Sequence, residues 1–204
     1  MTDSEADEVL VRRFLDGETA AFGTLVERHQ TRVFNLCLRI LGSREDAFDA
    51  AQETFMSALR KLGQFRGDAA FTTWLHRVAV NACYDELRKQ QRRPMLHVVA
   101  PGETDEPREP GPPSADHADQ VSGTIDAAAA LTAIPEEFRV ALVLADIEDM
   151  PYDQIAHILE VPVGTVKSRV HRGRLALAKA MGLGAGGPSG REPGASPGTS
   201  QEQP

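Results

Sequence analysis

The sequence predicts an all-α fold of two small helical domains, and three observations carry that expectation. Ala, Leu, Glu and Arg are plentiful while only 5% of the 204 residues are aromatic, a mix that favours helices over strands. Apolar residues recur at three- and four-residue steps through two separate stretches, the spacing of a helix face. Between those stretches, nine of the thirty residues from Pro94 to Gly123 are Pro or Gly and no apolar periodicity survives, so the chain divides there.

The first domain is placed at residues 8–94. Phe22, Leu25, Val26, Val33, Leu36, Cys37 and Ile40 mark one face of a long helix, which Gly42 ends. Ser43 is its successor's N-cap, with Asp46 three residues on, and Phe48, Ala51, Phe55, Leu59 and Leu62 mark the buried side of that second helix. Gly63 to Gly67 breaks it. A third helix runs from about Phe71 to Lys89 with Leu75, Val78 and Ala82 apolar, and Trp74 is assigned to the core. Three or four antiparallel helices would share one core.

Residues 95–125 read as a disordered, flexible acidic linker, and the second domain as 126–181. It opens with Asp126 to Ala133, is punctuated by Pro135, and continues from Glu136 to Asp149 with Phe138, Leu142 and Ile147 as core candidates. After a break at Met150 and Pro151, Tyr152 to Leu159 is a short helix with Ile155, Ile158 and Leu159 inward. Glu160, Val161 and Pro162 make a tight turn, and a longer helix follows from about Val163 to Ala178. That is the layout of a helix-turn-helix. Residues 182–204, rich in Gly, Pro and Ser, cannot bury enough apolar surface to offset the entropy of ordering and read as a disordered tail.

The net charge of -8 conceals how charge is distributed. Residues 1–94 are balanced, with 14 bases and 14 acids, whereas 95–125 hold one base and six acids, so much of the acid excess belongs to the linker. In the second domain the acids stop at Glu160, and Lys167, Arg169, Arg172, Arg174 and Lys179 follow. On the last helix Val166, Val170, Gly173 and Leu177 form a packing seam, leaving Lys167, Ser168, His171, Arg172 and Arg174 off it. In a helix-turn-helix such a face enters the major groove, where Arg or Lys reads guanine edges and other groups clamp phosphates.

On the third helix of the first domain, Arg77, Asn81, Tyr84 and Arg88 fall at i, i+4, i+7 and i+11. Cations neutralise phosphate, an aromatic stacks on an unpaired base, and a buried amide such as Asn81 hydrogen-bonds a base taken out of the stack. A solvated helix end before a linker would show the same stripe, and spacing alone does not separate the two. The second helix carries Asp46, Asp49, Gln52 and Glu53, which could meet a basic partner, although periodicity alone favours an ordinary solvated face.

Other functional classes find little support. Cys37 and Cys83 lack a CxxC spacing and read as reduced core thiols, and His29, His76 and His157 show no metal-ligand spacing, so no metal, cofactor or catalytic residue is expected. Gly194, Ser196 and Gly198 match GxSxG, but no strand precedes them. No apolar run reaches a bilayer span, and Met1 to Glu8 carries four acids and no base, so the chain is expected to be neither membrane-spanning nor secreted.

Three segments, DAFDAAQETFMSAL (46–59), FRGDAAFTTWLHRVAVNACYDELR (65–88) and YDQIAHILEVPVGTVKSRVHRGRLAL (152–177), resemble the extracytoplasmic-function sigma factors, small two-domain members of the bacterial sigma-70 family. The resemblance covers roughly 8–94 and 126–180. It implies a sigma-2 domain that docks on core RNA polymerase, with Asp49, Gln52 and Glu53 at the contact positions. Phe71 and Asn81, with Arg77 and Arg88 on the same helix, would handle the melted single strand of the minus-ten element. A sigma-4 domain would read the minus-thirty-five duplex through Lys167, Ser168, Arg169, His171, Arg172 and Arg174. It further implies promoter DNA and an anti-sigma factor as partners, a non-catalytic protein without cofactor, cytoplasmic location and no membrane contact. Ala50 and Ala51 stand where larger aliphatics are frequent and would thin the polymerase contact. Ala145 stands where a base is frequent and would weaken the hold on DNA. Gly173 replaces the usual Ala, at a cost of roughly 1 kcal/mol of helix stability. The alternative is a stand-alone helix-turn-helix regulator whose first domain senses a ligand.

Overall fold

The computed structural model describes residues 5–92 and 121–182, and all its regular elements are helical. The linker as far as residue 120 and the tail with its GxSxG spacing lie outside the described residues. The first domain comprises α1 (Asp7–Leu15), α2 (Ala20–Leu41), α3 (Arg44–Lys61), a 3₁₀ turn (Leu62–Gln64) and α4 (Phe71–Arg92). The second comprises α5 (Val121–Thr132), α6 (Glu136–Leu142), a π turn (Val143–Ile147), α7 (Tyr152–Leu159) and α8 (Val163–Ala180). The helix α5 starts five residues ahead of the boundary expected for this domain.

Both ends of the α2–α3 junction follow from local chemistry. Gly42 closes α2 in the left-handed region at φ 77°, its N–H donating to the Leu38 carbonyl at 2.8 Å. A Cβ there would lie 2.1 Å from Thr132 Cγ2, so a larger residue would bear the left-handed conformation and also displace that exposed side chain. Ser43 then caps α3, its Oγ accepting the Asp46 N–H at 3.3 Å. The start of α4 is capped from a distance: Glu8 of α1 accepts the Phe71 N–H at 3.3 Å, which ties the first helix to the last of its domain.

The seam of α3 differs from the expected one. Ala47, Ala50, Ala51, Thr54 and Ala58 are the buried residues, whereas Phe48 is 62% exposed and Leu59 46%. Small side chains let α3 lie close against both α2 and α4, and the large apolar residues then have no room on that side. Ala50 accordingly belongs to the packed seam, whereas Ala51, packed on one side, also lines the groove between α2 and α3.

In the second domain Val140, Ala141, Val143, Leu144, Ile155, Val166 and Val170 form the core. Ile147, expected inside, is 39% exposed, and Glu148 is buried in its place. The π turn explains the exchange: the Glu148 N–H donates to Val143 O at 3.0 Å, five residues back, and the wider turn shifts the periodic face by one residue. Asp149 follows at φ 53°. On α8, the helix-propensity penalty at Gly173 has a structural return. A Cβ at this site would meet the Phe138 carbonyl oxygen at 2.9 Å and Leu142 Cβ at 3.1 Å, so the glycine is what lets α8 approach α6. Gly173→Ala is therefore expected to destabilise the domain by about 1 kcal/mol, since overpacking of roughly 1–3 kcal/mol exceeds the propensity gain of about 1. Urea unfolding would show it as a lowered midpoint.

The two domains pack on one another, α7 against α4 and α5 against α2. No helix among the described residues is long and apolar enough to cross a membrane.

Candidate functional site

Three surfaces carry the residues singled out above. The first is the outer side of α3. Phe48, Gln52, Met56 and Leu59 recur at four-, four- and three-residue steps and are all exposed, with Phe55 half-buried beside them. Phe48, Gln52 and Phe55 line a groove of ≈ 390 Å³ whose opposite wall is Val26, Gln30 and Phe34 of α2. Asp49 and Glu53 are exposed and flank this strip. Hydrogen bonds from Ser57 and Arg60 hold the Glu53 carboxyl below its usual range, so it stays ionised. An apolar strip edged by acids is a protein-docking surface. Sequence periodicity missed it because it assigned Phe48 and Leu59 to the core.

The second surface is a pocket of ≈ 440 Å³ between the loop 64–69 and α4. Trp74, Arg77, Val78 and Asn81 form the α4 side, with Lys61, Phe65 and Arg66 opposite. Asn81 is exposed to this space, contrary to the expectation of a buried amide, because its position on α4 faces away from the α2–α3 seam. Phe71 is corrected in the other sense. It is 1% exposed, and its ring packs against those of His29, Phe65 and Trp74 at centroid separations of 5.6, 5.9 and 5.8 Å, so it cannot stack on a base in this arrangement. Its ring supports Trp74 and Phe65, which do reach the pocket. Trp74, expected in the core, is thus both packed and accessible. Tyr84 is half-buried, and burial pushes its phenol pKa up. Arg88 is exposed and pairs with Asp85 at 2.9 Å, while Arg77 pairs with Glu160 of the second domain.

The third surface is α8. Lys167, Ser168, His171 and Arg172 are exposed on one side, the Ser168 hydroxyl donating to Thr165 O at 2.9 Å and the Arg172 guanidinium lying 5.7 Å from the Phe138 ring centroid. Two neighbours are engaged elsewhere. Arg169 is partly buried and pairs with Glu137 at 3.1 Å, which turns it off the exposed face. Arg174 grips Asp146 through two hydrogen bonds of 2.9 and 2.7 Å, which raise its pKa. Ala145 is half-buried beside Asp146.

Among the described residues no three His, Cys, Asp or Glu side chains converge. Cys37 and Cys83 meet in the core between α2 and α4, where their mutual hydrogen bond and burial push the Cys83 thiol well up and keep it protonated. Of the histidines, His29 is held by Asp7 at 2.7 Å, His76 bonds Thr72 O at 2.6 Å, and His157 faces the pocket.

Comparison with known proteins accords with this geometry. Residues 25–93 match the family described as Sigma-70 region 2 and residues 126–177 that described as Sigma-70, region 4. The chain is 36% identical over 192 residues to the RNA polymerase sigma-H factor of Pseudomonas aeruginosa, covering 89% of this chain and 96% of that one. It is likewise 36% identical over 184 residues to the ECF RNA polymerase sigma-E factor of Escherichia coli K12, covering 87% and 95%. Its fold is similar to that of CnrH in complex with the cytosolic domain of CnrY, with a TM-score of 0.63 at 23% identity over 89% of this chain and all of that one. It is also similar to the sigma factor RpoE in complex with the anti-sigma factor NepR from Bartonella quintana, with a TM-score of 0.61 at 23% identity over 80% and 98%.

Proposed function

The chain belongs to the sigma-70 family and is an alternative sigma factor of its extracytoplasmic-function branch that directs transcription initiation, and from that premise we propose how its surfaces divide the work. The outer face of α3 docks on core RNA polymerase, Phe48, Met56 and Leu59 supplying apolar area and Asp49, Gln52 and Glu53 setting orientation. The α4 pocket receives an unstacked base of the minus-ten strand, with Trp74 offering a π-face, Asn81 a hydrogen-bonding edge, and Arg77 and Arg88 the phosphate charge. Lys167, Ser168, His171 and Arg172 read the minus-thirty-five duplex. Arg169 and Arg174 reach DNA only by exchanging their carboxylate partners. The observation that carries this reading is the exposure of three separate faces on one chain, one apolar and acidic, two cationic.

The protein performs no covalent chemistry itself and acts in the cytoplasm, where polymerase works. An anti-sigma factor binding one to one and competing with core polymerase would silence it, because the docking face and both DNA faces must be covered together. Run-off transcription with purified core polymerase tests the reading. In that assay Arg172→Ala is expected to cost about 1–3 kcal/mol at promoters with the preferred upstream element and little at those lacking it. A uniform loss on every sequence would recast Arg172 as a phosphate contact.

A further inference from the structure

Three arginines stand along α8, and the scaffold beside them treats them differently. Arg172 lies against the face of the Phe138 ring, its guanidinium carbon 5.7 Å from the centroid. A ring face attracts the cation through its π electrons and leaves the in-plane N–H donors free for a base edge or a phosphate. Arg169 and Arg174 are met by carboxylates instead, Glu137 of α6 at 3.1 Å and Asp146 at 2.7 Å. Two of the five Lys and Arg side chains of α8 are thereby neutralised from within the domain.

The Arg174 pair is the more informative, because both partners are exposed. Lys167, His171 and Arg174 fall at i, i+4 and i+7, so Arg174 belongs by position to the exposed duplex-reading face. It lies about 10 Å further along the axis than Lys167, past the N-terminal residues of a recognition helix that reach base edges, where a cation meets phosphate. Yet its Nε and Nη2 donate to Asp146 Oδ2 and Oδ1 at 2.9 and 2.7 Å, the two-pronged geometry with which arginine also grips phosphate.

The backbone fixes this carboxylate in place. Asp146 lies in the π turn Val143–Ile147, whose Val143 and Leu144 are buried in the core, and the turn is closed by the Glu148 N–H donating to Val143 O. Turns of this kind recur at functional sites. The pair itself contributes little to stability, since the Arg174 side chain is 56% and that of Asp146 34% exposed.

We infer that Asp146 stands in for a DNA phosphate, withholding Arg174 from duplexes in general so that the affinity of α8 rests on the side chains that read bases. The inference rests on the reading of α8 as the duplex-reading face. Asp146 is a positioning residue: it touches no base and acts through Arg174. A phosphate approaching that guanidinium must displace a carboxylate already bound to the same edge and is repelled by it on the way.

The test uses the full chain and a short, fluorescein-labelled DNA duplex of mixed sequence, with affinity read by fluorescence anisotropy over a series of salt concentrations. Asp146→Asn keeps the shape of the side chain and removes its charge. It is expected to raise affinity about three- to tenfold and to steepen the fall of log affinity with log salt by about one, the increment for one further phosphate contact. Asp146→Asn combined with Arg174→Ala removes both charges and should bind within about twofold of the unsubstituted chain, its salt dependence restored. Unchanged or lower affinity in Asp146→Asn would overturn the inference, the first by leaving the pair a structural contact and the second by making the carboxylate a support that aims Arg174 at DNA. A gain retained in the double variant would overturn it as well, because the carboxylate would then act through its own charge. Lys167→Ala, measured in parallel, reports on the α8 reading separately: weakened binding upholds that reading whatever Asp146→Asn does, and unchanged binding would withdraw the reading and this inference together.

Discussion

Replacing Asp49 and Glu53 together by arginine should weaken binding to core RNA polymerase by about a hundredfold or more while leaving the helix content unchanged. Both side chains are exposed on α3 and lie outside its buried seam, and surface substitutions of that kind shift stability by only about ±0.5 kcal/mol. At a charge-complementary interface, by contrast, like-charge juxtaposition costs several kcal/mol. The apolar strip provides an independent handle on the same surface. Phe48→Ser with Leu59→Ser removes two exposed anchors and should lower affinity about tenfold to a hundredfold, with an unaltered dependence on salt, whereas the charge reversal should change that dependence. Co-elution with core polymerase from a sizing column at two salt concentrations checks both. Normal co-elution of the double reversal would remove α3 as the docking face.

Phe71→Ala should cost about 3–5 kcal/mol, a large share of the roughly 5–15 kcal/mol that hold a domain folded. Its ring is enclosed by His29, Phe65 and Trp74, and truncation would leave a cavity beneath the pocket wall. Asn81→Ala, at an exposed position, should leave stability unchanged and reduce single-strand affinity instead. Denaturant unfolding of the two variants separates the roles. An unchanged midpoint in Phe71→Ala, together with lost strand binding, would show that the ring leaves the core to meet DNA.

Local signals in the sequence were strong where a single residue decides the backbone. Gly42 and Ser43 fix the α2–α3 junction, Pro135 the start of α6, and Glu160 to Pro162 the turn of the helix-turn-helix, and all stand where they were expected. Periodicity failed where packing distance mattered more than hydrophobicity. The α3 seam runs through alanines because α3 is held tightly between two helices, so the phenylalanine taken for core became surface. It failed again at Ile147 and Glu148, where a π turn breaks the 3.6-residue count that the reading assumed. Phe71 and Asn81 exchanged burial for a related reason: both carry family motifs, but only the arrangement of α1, α2 and the loop 64–69 decides which of them faces solvent. The contacts between domains, Glu148 with Arg32 and Glu160 with Arg77, span about a hundred residues and leave no periodic trace.

The division of labour among the faces makes promoter recognition a property of the holoenzyme. The chain is net acidic, its α8 face offers few cations, and two of the bases there are already paired, so the phosphate neutralisation that underlies duplex affinity is small. Taking bases out of the stack costs a few kcal/mol each, which the isolated first domain lacks the contacts to offset. Footprinting of one promoter by the free protein and by the protein with core polymerase, at equal concentration and salt, tests this most directly. Protection of both elements and opening of the minus-ten region are expected only with polymerase present; an equal footprint from the free protein would contradict the account and favour a stand-alone regulator.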